Sequence, residues 1–403
     1  MTNKTVLISG AGIAGPALAY WLKAAGYETT LVERAPALRE GGYVIDFWGV
    51  GYDIAERMGL TEDINRIGYH VREVQIVGDQ GKRLTGFGTK VFDELTNGRF
   101  VTVARSGLSR LLFEKAWDGT EALFDEDRGV LQAQGDAVQV RFKRSGERRF
   151  DLVIGADGLH SNVRDLAFGP QQRFERQLGY GVAALEVQGY RPRDEDVYLM
   201  YGQPGRMIGR FTQHNDRTFF LFVFATEGKP LPTSLDLQKA MLREIYRESK
   251  WESPAILDEV DRAPELYFDS VSQIRMDQWS RGRVALVGDA AFCVSLLAGQ
   301  GSALAIISAY VLAGELARAD GRYDVAFANY ESLLRNYICL KQQGAERFAA
   351  ALAPKTAWGM WFRNSVISAL AIRGLARFVV GRDITDTVRL PKYRWPSLES
   401  RPL

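Results

Sequence analysis

One short stretch near the amino terminus, Lys4 to Glu33, limits the folds open to this chain more than any other. Lys4 to Ser9 reads as an apolar strand, and Gly10-Ala11-Gly12-Ile13-Ala14-Gly15 follows at once. An Ala- and Leu-rich helical run, Pro16 to Ala25, comes next; Gly26 closes it, and Thr29 to Val32 forms a second strand ending in Glu33. Strand, glycine turn, helix, strand and acid, in that order, make a dinucleotide-binding unit. Gly10 permits the tight turn. Gly12 lets the backbone approach a pyrophosphate with no Cβ in the way, and Gly15 lets the helix lie close on the strand. Ala14 belongs to the same turn. The helix start offers unpaired N–H groups and a positive dipole end to phosphate oxygens. Pro16 falls in the first helical turn, where its missing N–H costs nothing. Glu33 stands about 20 residues past the turn, the spacing of a ribose-hydroxyl acceptor, and Arg34 follows it. The unit alone leaves NAD and FAD both open.

The chain of 403 residues suits one large or two intimately joined domains with ample core. Charged residues make up 25% and the formal net charge is +2, so nothing points to nucleic acid or an acidic partner. Cys293 and Cys339 have neither metal nor redox spacing, which favours a reducing, cytoplasmic setting. No signal peptide is expected ahead of the first strand. The apolar late segment, Ala357 to Val380, carries Arg363, Arg373 and Arg377, so no stable membrane span is expected there. No repeat or low-complexity tract stands out.

Along the chain, Val71 to Val77, Arg83 to Phe87 and Phe100 to Val103 read as strands, and Ser106 to Trp117 as a helix. A small meander is expected over Glu121 to Lys143. Phe150 to Gly155 is an apolar strand running into Ala156-Asp157-Gly158. From Tyr180 to Phe224 the pattern is alternating and aromatic, which predicts a β-sheet with one covered face. Leu237 to Tyr246 and Pro254 to Val260 read as helices, and Tyr267 to Ile274 as a returning strand. Arg283 to Val287 is a buried strand leading into Gly288-Asp289, followed by long helices at Ser302 to Arg318, Tyr323 to Gln343 and roughly Thr356 to Val379. The expected fold is α/β: a Rossmann-like βαβ nucleotide domain from residues 1–174 and 275–345, an inserted β-sheet substrate domain at 175–274, and a C-terminal helix and tail at 346–403.

Three stretches reinforce one another: the Gly10–Gly15 turn with Glu33, Gly155-Ala156-Asp157-Gly158-Leu159-His160-Ser161-Asn162-Val163-Arg164, and Gly288-Asp289-Ala290-Ala291 with Gly299-Gln300-Gly301-Ser302. In this order and over this length they resemble the FAD-dependent aromatic hydroxylase family, the single-component monooxygenases typified by para-hydroxybenzoate hydroxylase. Gly41-Gly42-Tyr43-Val44-Ile45-Asp46, the run Tyr310 to Leu316 and the long C-terminal helix resemble its tetracycline-inactivating and aklavinone-hydroxylase-like branch. The resemblance implies FAD as cofactor, NADPH or NADH as reductant, and O2 with a small aromatic or polycyclic substrate as reactants. It implies a flavin C4a-hydroperoxide that delivers OH⁺ to an electron-rich carbon. It also implies that Asp289 accepts from the ribityl hydroxyls and that Arg105 contacts the nucleotide chain as a forked donor. The resemblance further implies that the turn Gly299, Gly301 and Ser302 opens a helix toward the flavin pyrimidine edge, where N–H groups favour the reduced, negative form. Asp157 and Arg164 match a motif tied to both FAD and NAD(P)H; the plainer alternative is a turn held by an Asp–Arg pair.

Two departures matter. Phe292 stands where these enzymes often carry His, and Ser295-Leu296 where Pro-Pro or Ser-Pro usually precedes the glycine turn. Substrate contacts are expected from Tyr43, Asp46, Arg210 and His214, with Asp46 or His214 able to accept a phenolic proton. His70, His160 and Cys293 are expected to be structural. The rival readings are a flavin oxidoreductase, a halogenase (its Trp-x-Trp-x-Ile-Pro signature is absent) and a flavin redox sensor. The aromatic run from Trp358 reads as a bridging helix, or else as a lid or a membrane-surface contact. The sequence sets neither the substrate nor the subunit number.

Overall fold

The computed structural model describes residues 3–39, 43–90, 94, 96–370 and 388–399. Gly41 and Gly42, and the expected helix beyond Leu370 with Ile372, Arg373, Leu375 and Arg377, lie outside the described residues.

The nucleotide unit forms as its residues dictate. Val6 to Ser9 are buried apolar or small residues in strand Thr5–Ser9, which pairs in parallel with Glu28–Val32 on one side and Leu152–Gly155 on the other. Val284–Leu286 extends the sheet beyond Leu152–Gly155, and Glu121–Leu123 beyond Glu28–Val32, again in parallel. Such strands are buried on both faces and so read as continuous apolar runs. Helix Ala14–Ala24 and helix Gly301–Arg318 pack together against this sheet and share its core. Gly301–Arg318 is apolar and long enough to cross a bilayer, yet 78% of it is buried within the protein. It is a core helix.

A second, seven-stranded sheet runs in the order Tyr267–Ile274, Glu175–Gln188, Arg217–Ala225, Arg206–Thr212, Val197–Gln203, Glu73–Val77 and Arg83–Gly88. Its last two strands come from well ahead of residue 175. Strand Val44–Trp48 pairs with Phe100–Ala104 as a separate ribbon.

The expectation of one covered face fails. Phe219, Phe220, Phe222, Val223 and Phe224 are all buried, so both sides of strand Arg217–Ala225 are covered. Even-numbered Phe220, Phe222 and Phe224 meet Leu242, Tyr246, Ile256 and Val260 of helices Leu235–Tyr246 and Ser253–Arg262. Odd-numbered Phe219 and Val223 pack in clusters that reach Tyr43, Tyr267 and Leu297. The strand lies between two layers, which is why its aromatic run is unbroken by polar residues. The helix expected to stop at Gln343 continues through Gly344 to Leu352, and Pro354 follows its end.

Residues 388–399 return to the first helix. The ring of Trp395 sits 4.6 Å from Trp21 and 5.7 Å from Tyr310, and Tyr393 Oη donates to Glu315 at 2.8 Å. Trp395→Ala should therefore cost about 3 kcal/mol of stability, read as a lowered urea midpoint.

Candidate active site

Three strand ends meet side by side: Ser9, Gly155 and Leu286 close neighbouring parallel strands. Ligands in such sheets bind outside the carboxyl ends of the strands. A cleft opens there, lined by Gly10, Gly12, Ala14, Glu33, Arg34, Arg105, Asp157, Asp289, Gly299, Gly301 and Ser302. All the residues nominated for the cofactor are thus gathered, except Gly15, which lies beneath the turn.

The glycines are required by close approach. A Cβ on Gly15 would fall 1.9 Å from the Gly10 carbonyl oxygen, and one on Gly10 would fall 2.6 Å from that of Ala156. Gly12 leaves a cradle: a Cβ there would lie 3.4 Å from Nη2 of Arg105. Ser109, one turn along the helix that Arg105 opens, donates its hydroxyl to Gly12 O at 3.0 Å and fixes the cradle floor. Helices Ala14–Ala24 and Gly301–Arg318 both begin at the cleft, at Ile13 and Gln300, and neither start is capped by a side chain. Their first N–H groups and positive dipole ends are left for a ligand. A pyrophosphate and a flavin edge fit this donor set.

The acids behave differently from one another. Glu33 accepts from Ala11 N and Ala35 N, both at 2.9 Å, and each of its oxygens keeps a further lone pair. Asp157 accepts from Ser161 Oγ at 2.5 Å and from Val163 N at 3.1 Å, holding the turn into helix Asn162–Ala167. Arg164 is fully buried and donates to Ala290 O, Leu159 O and Gln171 Oε1. It ties the second motif to the third. Asp289 opens a short helix after Gly288, and burial pushes its carboxyl above the usual range against the pull of Arg105.

Tyr43 lines the cleft under Arg105, whose guanidinium carbon is 5.9 Å from the ring centre. Its partner is Tyr267, ring centres 5.5 Å apart, on strand Tyr267–Ile274. Burial pushes the Tyr43 phenol up to about 12 and the Tyr267 phenol well up too, so both remain neutral donors. Sequence reading missed Tyr267; its only signal was a place in an alternating strand. Cys293 is a buried thiol that burial keeps protonated.

Three nominated substrate residues are elsewhere. Arg210 is 1% exposed, ion-paired with Glu252 at 2.7 Å and with Asp194. It shares the even-numbered, helix-covered face with Ile208, so strand alternation turns it away from the cleft. His214 is exposed in a turn and stacks on Tyr69 at 4.7 Å. Asp46 accepts from Thr102 Oγ1 at 2.6 Å and borders a separate small cavity with Trp48, Gln300 and Tyr337. Burial raises its pKa.

The chain belongs to the FAD binding domain family, whose match covers residues 3–322. It is 32% identical over 405 residues to a flavin-dependent monooxygenase from an unknown prokaryotic organism, covering 97% of this chain and 99% of that one. An uncharacterized Mycobacterium tuberculosis protein, Rv1260, is 41% identical over 344 residues, covering 83% of this chain and 91% of its own length. Among solved structures, the tetracycline destructase Tet(55) superposes with a TM-score of 0.83 at 30% identity, over 97% of this chain and 99% of that one. The chain is therefore an FAD-dependent oxidoreductase of the monooxygenase family, with the fold its three motifs imply.

His160, read as merely structural, also lines the cleft. Its Nε2 is 2.9 Å from Asp269 Oδ2, and its Nδ1 is 3.2 Å from Gln171 Oε1. The Gln171 amide is held in this orientation, since Oε1 also accepts from Arg164 at 3.0 Å while Nε2 donates to Glu175 at 2.9 Å. Both ring nitrogens face acceptors, an arrangement that the protonated ring satisfies in full. The hydrogen bond to Asp269 accordingly raises the His160 pKa. A raised folded-state value means stability present below the unfolded pKa and lost as pH rises through the folded one. The thermal midpoint of wild type should thus exceed that of His160→Gln most near pH ~6, and the gap should close toward alkaline pH.

Proposed function

We propose that this enzyme hydroxylates a flat aromatic or polycyclic small molecule, with NADPH or NADH as reductant and O2 as oxygen source. The observation that carries the reading is the Tyr43–Tyr267 pair, two neutral phenols facing one another inside the FAD cleft. Such rings stack on a planar substrate while their hydroxyls donate to its oxygen atoms. The similarity to tetracycline destructases supports a polycyclic substrate.

Bound flavin supplies hydride acceptance and oxygen activation; the protein binds, orients and excludes water. In this reading the Gly10–Gly15 turn, the helix start at Ala14 and Arg105 hold the pyrophosphate. Glu33 and Arg34 hold the adenosine side, and Asp289 takes the ribityl hydroxyls. The uncapped N–H groups at Gly301 and Ser302 stabilise negative charge on the pyrimidine edge. Asp157 shapes the turn that borders both FAD and the nicotinamide donor. Asp46 acts behind the Gln300 turn, outside the substrate's reach. Residues 1–174 and 275–345 carry the cofactor and 175–274 the substrate.

The purified yellow protein should oxidise NADPH or NADH faster when a polycyclic phenol is present, and heavy oxygen from isotopically labelled O2 should enter the product. Hydrogen peroxide as the sole oxygen product across a broad phenol panel would overturn the proposal. Tyr267→Ala should raise KM about tenfold or more through lost ring contact, with FAD content unchanged, whereas Tyr267→Phe should keep most of the affinity.

A further inference from the structure

The loop 293–300 joins two parts of the cofactor site: Asp289 stands ahead of it, and Gly301 and Ser302 open the helix after it. Its residues Cys293, Ser295, Leu296 and Gly299 line the cleft. No proline stiffens it, since Ser295-Leu296 stand where the resembling enzymes usually carry one. Its backbone is unusual instead. Ser295 has φ 118°, a value closed to proline, whose ring fixes φ near about −65°. Ser295 is buried, and a non-glycine residue keeps such a conformation only when its surroundings over-determine it.

Two buried amides supply that constraint. Gln273, near the end of strand Tyr267–Ile274, and Gln342, on helix Tyr323–Leu352, are 0% and 6% exposed. Gln342 Nε2 donates to Ile274 O at 2.8 Å and reaches Cys293 O at 3.3 Å and Phe292 O at 3.4 Å. Gln273 Nε2 donates to Val294 O at 3.0 Å and to Gln342 O at 2.8 Å. The successive carbonyls of Phe292, Cys293 and Val294 are thus all held by side-chain N–H groups, just ahead of Ser295. The Gln273 amide is fixed in this orientation: its Oε1 accepts from Arg275 Nε at 3.1 Å and Nη2 at 2.9 Å, and a guanidinium only donates. Apolar contact, such as that of Leu297 with Val271 and Ala353, fills space without setting which way a carbonyl points. Burying an amide is costly unless its groups are paired, and here the N–H groups converge on one loop.

We propose that Gln273 and Gln342 are positioning residues for FAD: by fixing the carbonyls ahead of Ser295 they hold loop 293–300 in the arrangement that binds the cofactor. They touch no reactant. Their effect precedes binding, because the cofactor meets full affinity only in the fraction of molecules whose loop is already in place. The inference rests on the FAD site and not on the proposed substrate, so its test needs neither substrate nor reductant.

The test compares Gln342→Met and Gln273→Met, which keep much of the side-chain volume and remove the donors, with Tyr246→Phe. Tyr246 Oη lies 3.0 Å from Met207 O and 2.9 Å from Val223 O, among the helices that cover the large sheet. Its loss likewise takes a buried donor from backbone carbonyls, but away from the cleft. In fluorescence titrations of the full-length protein, Gln342→Met should raise the FAD dissociation constant about tenfold or more. In the FAD-loaded protein the amides of Leu297, Ala298 and Gly299, which bond within the loop, should exchange hydrogen faster by a similar factor. Gln273→Met should act in the same direction and more mildly, since it frees one loop carbonyl rather than two. Tyr246→Phe should lower the thermal midpoint with wild-type FAD affinity and loop exchange. Three outcomes would overturn the proposal: glutamine variants that lose thermal stability but keep FAD affinity, a Tyr246→Phe variant that loses as much affinity as they do, or fast exchange at Leu297, Ala298 and Gly299 in the wild type itself. Should Gln342→Met fail to fold, Gln273→Met and the wild-type exchange decide by the same readings. Since substrate is absent throughout, a failure here is separable from a failure of the hydroxylation assay.

Discussion

The close approach of Gly10 to the backbone of Ala156 and Asp157 is the contact on which the cleft depends. Three strands end level with one another, and the chain leaving each must turn away at once without colliding with its neighbours. Missing Cβ atoms at Gly10 and Gly15 let the first turn nest against the second and let the first helix rest on the turn. The buried guanidinium of Arg164 then binds the second turn to the third through Ala290 O. Tight backbone packing with one central cation leaves the outer side of all three turns free. Their N–H groups and acids then face a common space rather than the protein interior.

That space is completed by a layer of different origin. Strands Arg206–Thr212 and Arg217–Ala225 turn their even-numbered residues to a pair of helices and their odd-numbered residues to the opposite side, and on neighbouring Glu175–Gln188 the parity is reversed. Tyr267 and Asp269 fall on the cleft face, Arg210 and Phe268 on the other. One residue of register separates a side chain that faces the cofactor from one in a buried ion pair. His160 spans the join, linking the second glycine turn to Asp269 on the sheet, so the two layers are tied by a charged hydrogen bond as well as by apolar contact.

Legibility followed the range of the physics involved. The dinucleotide turn, the strand ends at Asp157 and Asp289, and the helix start at Gly301 were readable because each rests on a local requirement: a tight turn, a missing Cβ, an exposed set of N–H groups. Tyr43 was readable from its place beside the glycine pair. Arg210 and His214 lie outside the cleft lining, and polar type with a place in the β-rich segment says nothing of which face a strand turns inward. Tyr267 and His160 were passed over for the same reason. The significance of each lies in a partner far away in the chain.

The sequence by itself determined the class of fold, the order of its elements and the place of a dinucleotide site, because glycine spacing and apolar periodicity act over a few residues. Only the tertiary structure decided which face of the large sheet closes the cleft, that Tyr43 meets Tyr267, and that Asp46 borders a separate small cavity. Those facts depend on how layers stack and on strand register across long stretches of chain. A pattern of alternate residues specifies two faces but not which one is turned inward.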